Sequence, residues 1–226
     1  MPGYEVKVRT LAIGGAADLQ IRSLFDNDQF ADPAGAAQAL GISPAQWPLF
    51  GQLWPSGLHL AAAMAVRPLP EGERILEVGC GLALASLVCH RRGAEVTASD
   101  IHPLAGAFLL ENLRLNDLAP MRYCHGDWSE GAAAVNGGAP RVRGGFDLII
   151  GSDVLYERDD GGALAAFIER HALPQCELLI VDPNRGNRTA FGKRMATLGF
   201  GFSETLLSAA AGRAEYRGRL MRFVRG

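Results

Sequence analysis

The stretch RILEVGCGLALASLV, residues 74–88, constrains the fold of this chain more than any other. An apolar run ends in two glycines one residue apart, and an alanine- and leucine-rich run suited to a helix follows directly. This pattern predicts a strand, a tight turn and a helix. Glycine at positions 79 and 81 permits positive φ and lets the backbone come close to a ligand. Turns of this kind sit at the carboxyl ends of strands in open α/β sheets. They serve dinucleotides, nucleoside triphosphates and S-adenosylmethionine alike, so the glycines alone do not choose among them.

The same alternation continues downstream. Strand EVTASD (95–100) precedes a helix starting near Pro103, and strand MRYCHGD (121–127) is followed by a glycine-rich loop at 136–145. Strand FDLIIGSD then leads to helix GALAAFIERHAL, strand ELLIVDP and helix RTAFGKRMATLG. FSETLLS and RGRLMRFV close the chain with too few residues between them for a crossover helix, so they are expected to pair antiparallel. The expected fold class is α/β: a Rossmann-like, seven-stranded, mostly parallel sheet with the last strand pair antiparallel and helices on both faces. Upstream, YEVKVRTLAI and GGAADLQIRSLF alternate in polarity around a glycine turn and predict an N-terminal β-hairpin extension. The expected division is an extension over residues 1–48, hairpin plus a short helix, and a main domain over 49–226.

With 226 residues and a net charge of −2, the chain has no basic excess that would suggest general nucleic-acid binding. No apolar run approaches the roughly 18 residues of a membrane span. MPGYEVKVRT lacks a signal-peptide core, so a cytoplasmic location is expected. The four cysteines show no zinc-ligand spacing, and neither disulfides nor a metal are expected.

Three features narrow the ligand. No lysine followed by serine or threonine comes after the turn, which excludes a phosphate loop. The third glycine of the dinucleotide fingerprint would fall at position 84, where the chain has Leu84. A carboxylate, Glu77, precedes the first glycine; it would oppose a pyrophosphate but suits a cationic amino-acid group. Asp100 ends the next strand, where an acid accepts hydrogen bonds from ribose hydroxyls. Asp127 and Trp128 follow at the third strand, offering an acceptor for an adenine amino group and a ring for its face. Cationic amino-acid end, ribose and adenine together describe S-adenosylmethionine.

EVGCGLA, ASDIHP, GDW and GSDVLYE resemble the seven-strand S-adenosylmethionine-dependent methyltransferases. LWPSGLHLA upstream and the acid-x-x-aromatic run Asp153 to Tyr156 are similar to motifs of a narrower group. That group contains the valosin-containing-protein lysine methyltransferase and the electron-transfer-flavoprotein β-subunit lysine methyltransferase. The resemblance spans roughly residues 50–185. It implies cofactor contacts from Trp54, Glu77, Gly79, Cys80, Gly81, Asp100, Ile101, Asp127, Trp128 and Ser152. It also implies that Asp153 holds the acceptor amine and that Tyr156 walls the acceptor pocket. Ala83 stands where the usual acid-x-Gly-x-Gly-x-Gly pattern has its third glycine, a departure expected to tighten the turn.

The resemblance implies a protein N-methyltransferase acting on lysine, monomeric, with a protein substrate and neither nucleic-acid nor membrane partners. A small-molecule amine or pyridine N-methyltransferase, of the nicotinamide N-methyltransferase kind, is the alternative, and a catalytically silent binding module a third. A lysine enzyme requires an open cleft and a small-molecule enzyme a lidded one, with residues 26–54 as the candidate lid. The absence of an Asn-Pro-Pro-Tyr run disfavours the versions of the fold that methylate adenine or glutamine amides. Asp153 has a competing reading as the cap of the following helix. In VDPNRGNR, Asp182, Asn184 and Arg185 either reach the substrate side or form a polar turn. The arginines at 217, 219, 222 and 225 suggest a charged edge strand or a docking face for an acidic protein.

Overall fold

The computed structural model describes residues 3–129, 138–156, 159, 161–208 and 216–226. The expected glycine-rich loop at 136–145 lies outside the described residues at 136 and 137.

A hairpin of β1 (Val6–Leu11) and β2 (Leu19–Leu24) comes first, followed by a short helix α1 (Ala36–Ala39) and a 3₁₀ turn at Trp47–Gly51. Helix α2 (Pro55–Val66) leads into β3 (Arg74–Val78), α3 (Leu84–Arg91), β4 (Glu95–Asp100), α4 (Ala105–Leu115) and β5 (Arg122–His125). Then come β6 (Phe146–Ser152), α5 (Ala163–His171), β7 (Ala172–Asp182), α6 (Arg188–Thr197), β8 (Gly201–Ser208) and β9 (Arg217–Arg225). The main sheet has seven strands in the order β5-β4-β3-β6-β7-β9-β8; β9 alone is reversed, pairing antiparallel with both β7 and β8. The α/β, mostly parallel sheet with its antiparallel closing pair and N-terminal hairpin is therefore the observed architecture.

Side-chain alternation places helices on both faces. Ile75, Leu148, Ile150, Leu179 and Val181 join Leu60 and Met64 of α2 and Ala85 and Cys89 of α3 in one cluster. Their neighbours Leu76, Val78, Ile149, Leu178 and Ile180 pack on the other side with Leu164, Phe167 and Ile168 of α5 and Met195 of α6. Being covered on both faces, β3, β6 and β7 read as continuous apolar runs. The hairpin shares a third cluster with α3 and α4 through Leu19, Ile21, Leu24, Leu87, Phe108 and Leu113. Asn112 and Asn116 of α4 fasten it further by accepting the backbone N–H groups of Arg22 and Gln20 at 2.8 and 2.9 Å.

Several boundaries differ from the sequence reading. Strand β5 stops at His125, so Gly126, Asp127 and Trp128 belong to the loop beyond it. Helix α4 starts at Ala105, two residues past Pro103. Helix α5 ends at His171, and β7 follows without a turn, with a register shift opposite Phe146 and Leu148. The arginine-rich β9 is an interior strand and β8 is the edge, which removes the edge-strand explanation of the arginines. Arg219 instead pairs with Glu204, Arg222 with Glu177 and Arg225 with Glu169. All four cysteines are buried free thiols.

The chain leaves β3 for β4 and β5 on one side, then returns to build β6 and β7 on the other. The switch point thus falls between β3 and β6, and in such sheets ligands bind outside the carboxyl ends of the strands there.

Candidate functional site

A cavity of about 570 Å³ opens at that switch point, bordered by the carboxyl ends of β3, β4, β5 and β6 and by residues Leu40 to Trp54 of the N-terminal stretch. Its size lies within the range of small-molecule sites, roughly 300–1,000 Å³.

The glycine turn forms its floor. Gly79 and Gly81 have φ of 56° and 50°. A Cβ on Gly79 would lie 2.9 Å from Val154 Cγ1, and one on Gly81 would lie 2.9 Å from the carbonyl oxygen of Phe50. Both positions therefore require glycine for conformation and for space. Ala83 adopts the same left-handed conformation, φ 59°, and its N–H closes the turn on the Cys80 carbonyl at 2.6 Å. An L-residue with a Cβ is held here at a cost of about 1 kcal/mol.

Glu77 is buried beside this turn. Its Oε2 accepts the Ser86 N–H at 2.9 Å and the Ser86 hydroxyl, serving an otherwise unpaired donor of the first turn of α3. Burial pushes the carboxyl up to about 7, against the pull of the Ser86 bonds, and the Asp100 carboxylate nearby adds to the rise. Asp100 ties two loops together: Oδ2 accepts the Gly81 N–H and Oδ1 the His102 N–H, each at 2.8 Å. Each oxygen keeps a second lone pair for a ligand hydroxyl. Burial raises this carboxyl also. At the third strand, Asp127 Oδ1 accepts the N–H and hydroxyl of Ser129 at 2.8 and 2.7 Å, and the Trp128 ring lies against the Gly79 turn.

Next to β3, β6 ends in Ser152 and Asp153 on the same cavity. Asp153 has φ 57°, and its N–H donates to the Val181 carbonyl at 3.0 Å. Arg185 Nη1 donates to Asp153 Oδ1 at 2.7 Å and to its carbonyl at 3.3 Å. Asp153 Oδ2 is buried and has no protein partner. Asp182 Oδ1 in turn accepts the Arg185 N–H at 2.7 Å, fixing the loop that carries the guanidinium. Asp153 does not cap helix α5. That role belongs to Asp159, whose carboxylate accepts the N–H groups of Ala163 at 2.8 Å and Leu164 at 3.2 Å. Asn184 turns away to Arg217 and Arg219 on β9, so of the three polar residues after β7 only Arg185 borders the cavity.

All twelve residues expected to contact cofactor or acceptor amine, Trp54, Glu77, Gly79, Cys80, Gly81, Asp100, Ile101, Asp127, Trp128, Ser152, Asp153 and Tyr156, border this one cavity. Trp54 stands before α2 in extended conformation, with its indole N–H on the Leu49 carbonyl at 2.9 Å and Pro55 starting the helix. Among the bordering residues that were not foreseen, two form a clamp. Phe50 stacks on His102 with centroids 3.7 Å apart and planes 10° apart, clamping the N-terminal stretch to the β4–α4 loop. Burial holds His102 neutral, its pKa pulled down to about 3. The quoted ASDIHP run contains His102, but nothing in its local sequence pairs it with a residue fifty positions earlier. Among the described residues there is no group of three or more metal-ligating side chains, and no helix is long and apolar enough to cross a membrane.

No family model matches the chain. The electron transfer flavoprotein beta subunit lysine methyltransferase of Xenopus laevis is 29% identical over 141 residues, 61% of this chain and 53% of that protein. Its Danio rerio counterpart is 29% identical over 63% of this chain and 54% of its own length. The protein N-lysine methyltransferase METTL21A of Danio rerio is 28% identical, covering 44% of each chain. This chain thus spans about half the length of these relatives. Among solved structures, a methyltransferase from Pyrococcus furiosus superposes with a TM-score of 0.55 at 19% identity, covering 73% of this chain and 80% of that one. Magnesium protoporphyrin IX methyltransferase from Synechocystis, with bound S-adenosylmethionine, gives 0.58 at 17% identity, covering 76% and 78%. The fold is that of the seven-strand methyltransferases.

Proposed function

We propose that this chain is an S-adenosylmethionine-dependent protein N-methyltransferase that transfers methyl groups to lysine. The observation that carries the reading is the meeting, in one cavity, of two unlike sets of side chains. Glu77, the glycine turn, Asp100 and the Asp127–Trp128 loop line it together with Asp153, which brings a buried, unpartnered carboxylate oxygen. The lysine methyltransferase relatives and the fold support the same assignment.

The residues present fit the cofactor. The left-handed glycines leave a cradle that a Cβ would fill. Glu77 meets the need of a cationic amino-acid group for a buried anion, Asp100 offers acceptors for ribose hydroxyls, and Asp127 with Trp128 suits adenine. Cys80, Ile101, Ser152 and Trp54 complete the walls. When bound, the cofactor supplies a methyl group on a sulfonium, whose departure as a thioether needs no proton.

What remains for the protein is alignment and exclusion of water. Asp153 Oδ2 accepts an N–H of the acceptor amine and turns its lone pair toward the methyl. Tyr156, exposed by 48%, lines the cavity near Asp153, where the aliphatic stem of a lysine would pass. An ammonium with an ordinary pKa of about 10.4 must lose its proton before attack, and a dry pocket favours that loss.

A protein substrate is preferred over a small amine because Tyr156 beside Asp153 is exposed. Within the stretch expected as a lid, Phe50 lies over the glycine turn at Gly81, backed by the buried Trp47. The test is methyl transfer from labelled S-adenosylmethionine into a cell lysate by wild type and Asp153→Ala, with mass spectrometry of the labelled proteins. Lysine methylation lost in Asp153→Ala at unchanged melting temperature supports the reading. Label confined to small molecules, or equal turnover by both proteins, overturns it.

A further inference from the structure

Arg185 borders the cavity, and the proposed chemistry has not used it. A lone carboxylate facing a lysine amine works against methylation. An opposite charge within about 4–6 Å holds a group in its charged form by roughly one to three pKa units, and an ammonium has no lone pair to give. The structure places a compensating cation on that carboxylate. Arg185 Nη1 reaches Asp153 Oδ1 at 2.7 Å, and the ion pair is mostly buried, with side-chain exposures of 29% and 10%. The contact is built, not incidental: the same nitrogen donates to the Asp153 carbonyl, and Asp182 fixes the backbone of Arg185.

We propose that Arg185 is a positioning residue that spends one oxygen and the net charge of Asp153, so that the acceptor amine meets a hydrogen-bond acceptor without being held as an ammonium. This inference rests on the reading of the chain as a lysine methyltransferase. The other charged and titratable groups around the acceptor end leave it intact. Asp182 accepts the Arg185 N–H with Oδ1, its Oδ2 is buried without a partner, and burial raises its carboxyl toward the neutral form. Arg188 of α6 forms an ion pair with Glu204. Tyr216, at the start of β9, shares a hydrogen bond with Ser56 at 2.8 Å. Tyr156 lines the wall, and Glu77 and Asp100 lie at the glycine turn.

The measurement uses N-methylbutylamine carrying ¹³C in its methyl group, added to the full chain with saturating S-adenosylhomocysteine. The carbon shift is followed against pH to read the pKa of the bound amine. Relative to wild type, Arg185→Gln is expected to raise that value by about one unit, cutting the neutral fraction at a given pH about tenfold. Arg185→Lys, which keeps the charge, should restore it to within a few tenths of a unit. Asp153→Asn, which leaves the cation uncompensated, should lower it and serves if Arg185→Gln does not fold. Identical titration in wild type and Arg185→Gln, or in wild type and Asp153→Asn, overturns the inference alone. An amine that does not bind wild type loaded with S-adenosylhomocysteine overturns the lysine reading and the inference with it.

Discussion

Glu77 makes cofactor binding a proton-linked event. In the free protein its carboxyl is pushed up to about 7 from an ordinary 4.5 because burial disfavours the charge. Below the ordinary value the group is protonated whether the chain is folded or not. Above about 7 it is ionised in both states, and only the folded state then carries a buried charge. Stability of the free protein should therefore fall as pH rises through this window, by about 3 kcal/mol for the shift of 2.5 units between those two values. A bound cationic amino-acid group supplies the missing counter-charge and returns the carboxyl toward its ordinary range. The complex then favours the ionised form, and binding below neutral pH must release a proton. Between pH 5.5 and 7.0 the ligand's amino group stays charged, and the affinity for S-adenosylmethionine should rise about fifteenfold. Isothermal titration at pH 5.5 in two buffers of different ionisation enthalpy should show close to one proton released. Glu77→Gln should bind more weakly at pH 7.0 and lose the pH dependence. Equal affinity at both pH values, with heats that do not depend on the buffer, would refute the placement of the cationic group at Glu77.

Ala83→Gly should relieve the left-handed strain of about 1 kcal/mol and give up a buried methyl worth a similar amount. Denaturant melts should therefore agree with wild type to within about 1 kcal/mol, with cofactor affinity retained. A loss above about 2 kcal/mol would show that the methyl, not the turn, matters there. Gly81→Ala adds the same strain and drives its Cβ against the Phe50 carbonyl, so it should lower stability by at least about 2 kcal/mol and weaken binding; unchanged titrations would contradict the close approach. Asp159→Ala removes the cap of α5 and should cost about 1 kcal/mol in the same melts, leaving methyl transfer per folded molecule unchanged.

The parallel core was legible because its grammar is local. Buried strands such as RILEV and LLIVD are continuous apolar runs, and the glycines mark the turn. The antiparallel closing pair followed from the shortness of its connection. Strand and helix ends shifted where tertiary contacts decide them. Helix α5 ends at His171 because Ala172 pairs with Phe146, a partner 26 residues earlier that no window around position 172 reveals.

At the site, the residues at the strand tips were legible as motifs, and their joint lining of one cavity follows from the sheet order. The wall made by residues 40–52 was not. GISPAQWPLFGQ has no clear period, and its place is fixed by Trp47 and Phe50 packing on Tyr4, His102 and Phe108, all distant in sequence. The Arg185–Asp153 pair was hidden for the same reason. Both residues were noticed singly, but their meeting depends on β6 and β7 being parallel neighbours. Asp153 was legible as a possible helix cap, but its left-handed backbone carries its carboxylate to Arg185, and Asp159, which no motif marked, accepts the first N–H groups of α5.

The central claim is that the tips of β3, β4 and β5 together bind S-adenosylmethionine. Equilibrium titration of the wild-type chain with that compound at neutral pH, with NAD as the comparison ligand, tests it most directly. The account predicts saturable one-site binding of S-adenosylmethionine, weakened at least tenfold in Asp100→Ala, and no heat with NAD. Tight binding of NAD with none of S-adenosylmethionine would contradict it.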